Sequence, residues 1–207
     1  MSAGFYSEGE KWMMEIVQRW KARALGPVVK GLDKVGVTAN VLSVLGALVA
    51  LAGLVMNLSG MDSWWFVGGL WMHMLMDAFD GTLARFQGTA GRKGFLVDAW
   101  SDSAVIVLAS VFMYWIMDAQ MILVTVYTLF YLFLNWLSFK LENLGRPYEI
   151  VLRPRIFLYL SLTIDLAVGS ESVGVFLLVM SVVMGLIVAV GLWMWWDSAT
   201  RLVGKKG

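Results

Sequence analysis

The sequence predicts an all-α integral membrane protein: six transmembrane helices preceded by an amphipathic helix lying at the interface. Three observations predict it. Of 207 residues, 59% are hydrophobic and the mean hydropathy is +0.74, well beyond what a soluble domain of this length needs for its core. Apolar runs of spanning length recur along the chain with turn residues between them. The basic residues, in turn, gather on one side of those runs.

The elements follow in order. Residues 1–38 form a juxtamembrane segment in which Trp12, Met13, Ile16, Val17 and Trp20 recur at helical spacing, with Glu10, Lys11, Glu15, Arg19 and Lys21 filling the other positions. That pattern is an interfacial helix, serving as an anchor or as a lid over the cytoplasmic mouth. No long apolar core with a small-residue cleavage site is evident before Arg23, so no removable signal peptide is expected. Residues 39–207 form a six-helix transmembrane domain that carries the chemistry, with spans near 40–58, 64–86, 95–117, 121–141, 155–168 and 173–196. The fifth has only 14 residues after Pro154 and must borrow length from its flanks to cross ~30 Å of hydrocarbon.

Charge orients the spans. The connections 57–63, 118–120 and 169–172 contain no lysine or arginine. All 16 basic residues fall in the N-terminal segment, the 85–93 turn, the 140–155 connection or the tail from Arg201. The positive-inside rule then puts both termini in the cytoplasm of a multi-pass protein of the cell membrane. A five-span chain would leave Arg201, Lys205 and Lys206 outside. Trp64, Trp65, Trp193, Trp195 and Trp196 fit interfacial belts. A net charge of +1 without an extended basic patch gives no sign of a nucleic-acid partner, and none is expected; the lack of cysteine excludes disulfides and thiolate metal sites.

Against this apolar background stand four aspartates, Asp77, Asp80, Asp98 and Asp102. Carboxylates at bilayer depth are costly and mark function. The first pair is spaced i, i+3 and the second i, i+4, so each pair projects from one helix face. Two such pairs on adjacent helices make an oxygen-rich cage. Carboxylates so close repel one another, and a divalent cation relieves that repulsion.

The run Asp77-x2-Asp80-Gly81-x2-Ala84-Arg85-x8-Gly94-x3-Asp98-x3-Asp102 resembles the signature of the CDP-alcohol phosphotransferase family at every fixed position. The segment from Gly26-Pro27 to Gly46, with Gly36-Val37-Thr38-Ala39-Asn40 and Ser43, is similar to the family's lead into its first span, with Ala39 where proline is usual. The resemblance implies a six-helix bundle, often a homodimer, opening to the cytoplasm and the membrane. Its expected reaction moves the phosphoryl centre of a CDP-linked lipid from CMP to an alcohol oxygen. Such transfer depends on positioning and on charge neutralisation. A pair of Mg2+ or Mn2+ ions, held by Asp77, Asp80, Asp98 and Asp102, would supply the latter. The likeness also implies that Asp102 is the base taking the acceptor's proton. Gly81, Ala84 and Gly94 would let the nucleotide or a neighbouring helix approach closely, and Arg85 would clamp a phosphate. Asn40, Ser43 and Gly91 resemble further nucleotide contacts, although helix capping explains Asn40 equally well.

The acceptor is read elsewhere. Lys140, Arg146, Arg153 and Arg155 share one cytoplasmic connection, as an anionic polyol phosphate or simple topology would require. Ser138-Phe139-Lys140 and Arg153-Pro154-Arg155 resemble the acceptor-phosphate segment of the phosphatidylinositol-phosphate synthase branch, with the arginine pair one residue tighter and an arginine usual soon after the lysine missing. Inositol phosphate is therefore the expected acceptor, with glycerol 3-phosphate the alternative. From a different class, the same acids could serve a divalent cation transporter, although Arg85 and the glycine-rich turn have no use in a pore. His73 reads as a packing residue. Asp118, Glu142, Asp165, Glu171 and Asp197 read as solvated carboxylates near span ends.

Overall fold

The computed structural model describes residues 24–144 and 154–204. Helix α1 covers 24–34 and is followed by α2 (Ala39–Leu58), α3 (Trp64–Phe86), α4 (Arg92–Trp115), α5 (Met121–Asn143), α6 (Pro154–Val168) and α7 (Ser172–Gly204), with no strand among the described residues. Helices α2 to α7 fall on the six apolar runs of the sequence. The interfacial helix expected around residues 12–20, Arg146 and Arg153 lie outside the described residues.

Four helical stretches are long and apolar enough to cross a membrane: Ala39–Leu58, Arg92–Trp115, Met121–Leu141 and Ser172–Ser198. The protein is an integral membrane protein. Helix α3, with 23 residues, is long enough at ~1.5 Å per residue, but Asp77, Asp80 and Arg85 interrupt its apolar run. Helix α6 has only 15 residues and rises ~22 Å.

The chain divides into two compact units, 1–105 and 106–207, with the boundary inside α4. In the first, α2 packs along α3. The buried face of α2 is a stripe of small residues, including Ser43, Gly46, Ala50 and Gly53, at helical spacing. Its other face carries Val44, Leu48, Leu51 and Val55, exposed and apolar as a lipid solvent permits. Glycine makes the close approach possible. A Cβ on Gly53 would lie 2.6 Å from the Trp65 carbonyl oxygen, and one on Gly69 would lie 3.1 Å from that of Val49. At one end of the pair, Val29 of α1, Leu42 and Leu83 form a buried cluster flanked by Leu25, Leu32, Val37 and Phe79. At the other end, Asn57 Nδ2 donates to the Met61 carbonyl and Ser63 Oγ (both 3.1 Å), closing the turn into α3.

In the second unit α5 and α6 each pack on α7. The rings of Tyr127 and Phe176 lie 5.8 Å apart, and Phe130 fills the space a side chain at Gly185 would need. Ser110 on the last turns of α4 and Thr128 on α5 share a 2.6 Å hydrogen bond. Asp165 departs from the sequence expectation of a solvated carboxylate. It is buried and accepts from Ser170 Oγ (2.6 Å), Ser172 N (2.9 Å) and Val173 N (2.8 Å). Its role is to cap α7, satisfying N–H groups that the helix's first turn cannot pair internally.

Candidate active site

The signature residues sit on α3 and α4 at their shared turn. Helix α3 ends in a Schellman arrangement: Gly88, at φ +66°, donates to the Arg85 carbonyl (3.2 Å), while Thr89 N reaches that of Ala84 (2.9 Å). Glycine tolerates that left-handed backbone, and the chain turns there without strain. Helix α4 starts at once, the Gly91 carbonyl accepting from Phe95 N at 3.0 Å.

Across this turn Asp77, Asp98 and Asp102 come together. One carboxylate oxygen from each lies within 4.8 Å of the other two, and all three side chains are partly buried. Three converging acids of this kind, with oxygen donors alone, suit a hard divalent cation. Asp80 is outside this trio. It is 5% exposed and accepts a short hydrogen bond from Ser43 Oγ of α2. The i, i+3 spacing explains the difference, since it turns Asp80 ~60° around α3 from Asp77 and towards α2. The sequence favours Asp77, Asp80 and Asp98 as the first ligands with Asp102 completing the site, whereas the structure groups Asp102 with Asp77 and Asp98, because α2 is invisible in the spacing.

Ser43 links three helices. Besides its bond to Asp80, its carbonyl accepts from Ser101 Oγ of α4 at 2.6 Å. Asn40 is not the α2 cap: that position is Thr38, and a Cβ on Gly94 would lie 3.7 Å from Asn40 Oδ1. The structure therefore brings Asn40 and Gly94 together. Arg85 is exposed and folds back along α3, its Nη2 3.4 Å from Thr82 Oγ1 and its Nη1 3.7 Å from where a Cβ on Gly81 would stand. Ala84 anchors the turn through its carbonyl, and Gly91 is exposed. Gln87 adds a strut that the sequence gives no sign of. Its Nε2 donates to Asp33 Oδ1 (3.0 Å) and the Val37 carbonyl (2.9 Å), fastening the end of α3 to the segment leading into α2.

His73 is buried, and its Nε2 lies 3.6 Å from Asp102 Oδ1. The sequence signal for this was its position one turn before Asp77. Of the residues expected to bind an acceptor phosphate, Lys140 is exposed, with its Nζ 5.6 Å from the Trp136 ring centroid, and Arg155 is 7% exposed.

Fold and site together define a helical membrane protein in which three carboxylates that could hold a metal ion converge at a helix–turn–helix. The chain belongs to the CDP-alcohol phosphatidyltransferase family, whose profile matches residues 36–200. It is similar to the phosphatidylinositol phosphate synthases of Mycobacterium tuberculosis and Mycobacterium bovis, with 36% identity over 83 residues, 39% of this chain and 37% of theirs. The Mycobacterium marinum counterpart is 33% identical over 84 residues, 39% of this chain and 35% of its own. The matches thus span little more than a third of those relatives' length. Among solved structures, the fold is shared with Mycobacterium tuberculosis phosphatidylinositol phosphate synthase with CDP-DAG bound, at TM-score 0.67 and 24% identity over 84% of this chain and 94% of that one. The same protein in complex with manganese and citrate gives TM-score 0.68 and 22% identity, over 82% and 88%.

Proposed function

We propose that the protein transfers the phosphatidyl-type group of a CDP-activated lipid to the hydroxyl of a polar alcohol, releasing CMP, in phospholipid synthesis. The observation that carries this reading is the convergence of Asp77, Asp98 and Asp102 from two adjoining helices within the family's signature. The all-oxygen donor set fits a pair of Mg2+ or Mn2+ ions, held by these three together with Asp80. When bound, the ions would neutralise the diphosphate and stabilise the attacking and leaving oxygens. The relatives solved with CDP-DAG and with manganese support both substrate and cofactor.

Asp102 takes the proton of the acceptor hydroxyl. Beside cations its carboxylate is a weak base, so it accepts the proton only as the new O–P bond forms and the bond to CMP breaks. Arg85 pairs with a phosphate of the nucleotide, and its exposed guanidinium is free of bulk at Gly81. Asn40, Ser43, Gly81, Ala84, Gly91 and Gly94 line the nucleotide's approach, with Ser43 also holding Asp80.

The acceptor is a polyol phosphate such as inositol phosphate, engaged by Lys140, Arg153 and Arg155. The basic 140–155 connection and the names of the similar proteins support this. Residues 39–207 make up the catalytic domain, with six spans, both termini in the cytoplasm, a homodimeric state and residues 1–38 at the membrane surface. The test is CMP release from CDP-diacylglycerol with Mg2+, run against inositol phosphate, glycerol 3-phosphate, serine and free inositol. Release with inositol phosphate alone supports the full reading, and preference for glycerol 3-phosphate changes the acceptor. Cation flux into vesicles without any CMP release would make the protein a transporter.

A further inference from the structure

We infer that His73 is a positioning residue for Asp102, holding its carboxylate in the orientation that metal binding and proton transfer require; this rests on the transferase reading above. The chain has one histidine, and it lies on a span at 2% exposure. An imidazole in apolar surroundings is costly unless its polar edge meets a partner. Here Nε2 faces Asp102 Oδ1 across 3.6 Å, wider than a hydrogen bond and within ion-contact range.

The ring carbon bonded to Nε2 is packed tightly as well. A Cβ on Gly46 would lie 3.0 Å from His73 Cδ2 and 3.4 Å from its Cα, so α2 gives up a side chain to let the ring lie against its backbone. The edge of the imidazole that faces Asp102 thus also rests against the α2 backbone at Gly46. With Oδ1 directed at His73, the plane of the Asp102 carboxylate is set, and so is the direction of Oδ2. Acids that ligate metals commonly rely on such an outer hydrogen-bond donor. Mere space-filling would be served as well by leucine, which has no N–H.

The experiment compares wild type with His73→Leu and His73→Gln, purified whole in detergent. Three quantities are read: Mn2+ affinity by EPR without substrates, kcat and KM for CMP release, and the thermal unfolding midpoint. His73→Leu is expected to weaken Mn2+ binding and lower kcat by about 10- to 100-fold with KM for the CDP-lipid unchanged. His73→Gln, whose amide N–H reaches a similar place, is expected to restore most of both. Wild-type values in His73→Leu would overturn the assignment, as would equal losses in both variants that follow the unfolding midpoint. A wild-type protein that neither binds Mn2+ nor releases CMP would overturn the transferase reading itself. If the wild type does both and His73→Leu matches it, only the role of His73 falls.

Discussion

Asp102 meets neighbours of two kinds, the acids Asp77 and Asp98 and the imidazole of His73. Asparagine there keeps one oxygen donor and loses the basic site. Asp102→Asn should therefore cut CMP release by ~10²–10⁴-fold while metal-dependent CDP-lipid binding stays close to wild type. Turnover at the wild-type rate would remove Asp102 as the base. Arg85 tests a different contact. Removing charge-assisted hydrogen bonds worth ~1.5–3 kcal/mol predicts that Arg85→Ala raises KM for the CDP-lipid by about tenfold to hundredfold, with the acceptor KM unmoved. Steady-state kinetics with each substrate varied in turn checks this. At this scale the acids were legible because carboxylates in an apolar sequence have few other uses. What the spacing could not give was their partners. Asp80 turns to Ser43 and Asn40 lies by Gly94 instead of capping, each set by a helix distant in sequence, while Asp165 holds the start of the next helix, α7.

Between elements, the α2–α3 contact is the one that steric argument tests most directly. A Cβ on Gly53 would lie 2.6 Å from the Trp65 carbonyl, a backbone atom that cannot swing aside. Gly53→Ala should cost ~1–3 kcal/mol, read as a lower thermal midpoint in detergent. Gly174→Ala in α7, where a Cβ meets nothing within 4 Å, should leave the midpoint within the ±0.5 kcal/mol typical of open positions, ~0 by comparison. The helices themselves were legible from hydropathy, since each apolar run became one helix. Their ends were less so. Helix α4 begins at Arg92, ahead of the apolar run, because the turn at Gly88 ends α3 early enough for Gly91 to start the next helix.

For the whole molecule, topology is the open expectation, and α3 decides it. Its acids keep it from passing as a span on composition, yet the lysine- and arginine-free 57–63 connection and the basic 85–93 turn call for opposite sides. The chain lacks cysteine, so single cysteines report cleanly. An impermeant maleimide added to intact cells should label Ser59→Cys and should reach Thr89→Cys only after the membrane is opened. Both labelled from one side would refute the six-span orientation. The glycine seam between α2 and α3 has a consequence for how such a protein can be handled. Inside a bilayer there is no water to expel, so this seam is held by direct contact. Micelles should preserve it as well as lipid does. A thinner or thicker membrane should then alter how the tails of a bound lipid fit, while the geometry at the reacting phosphorus stays constant.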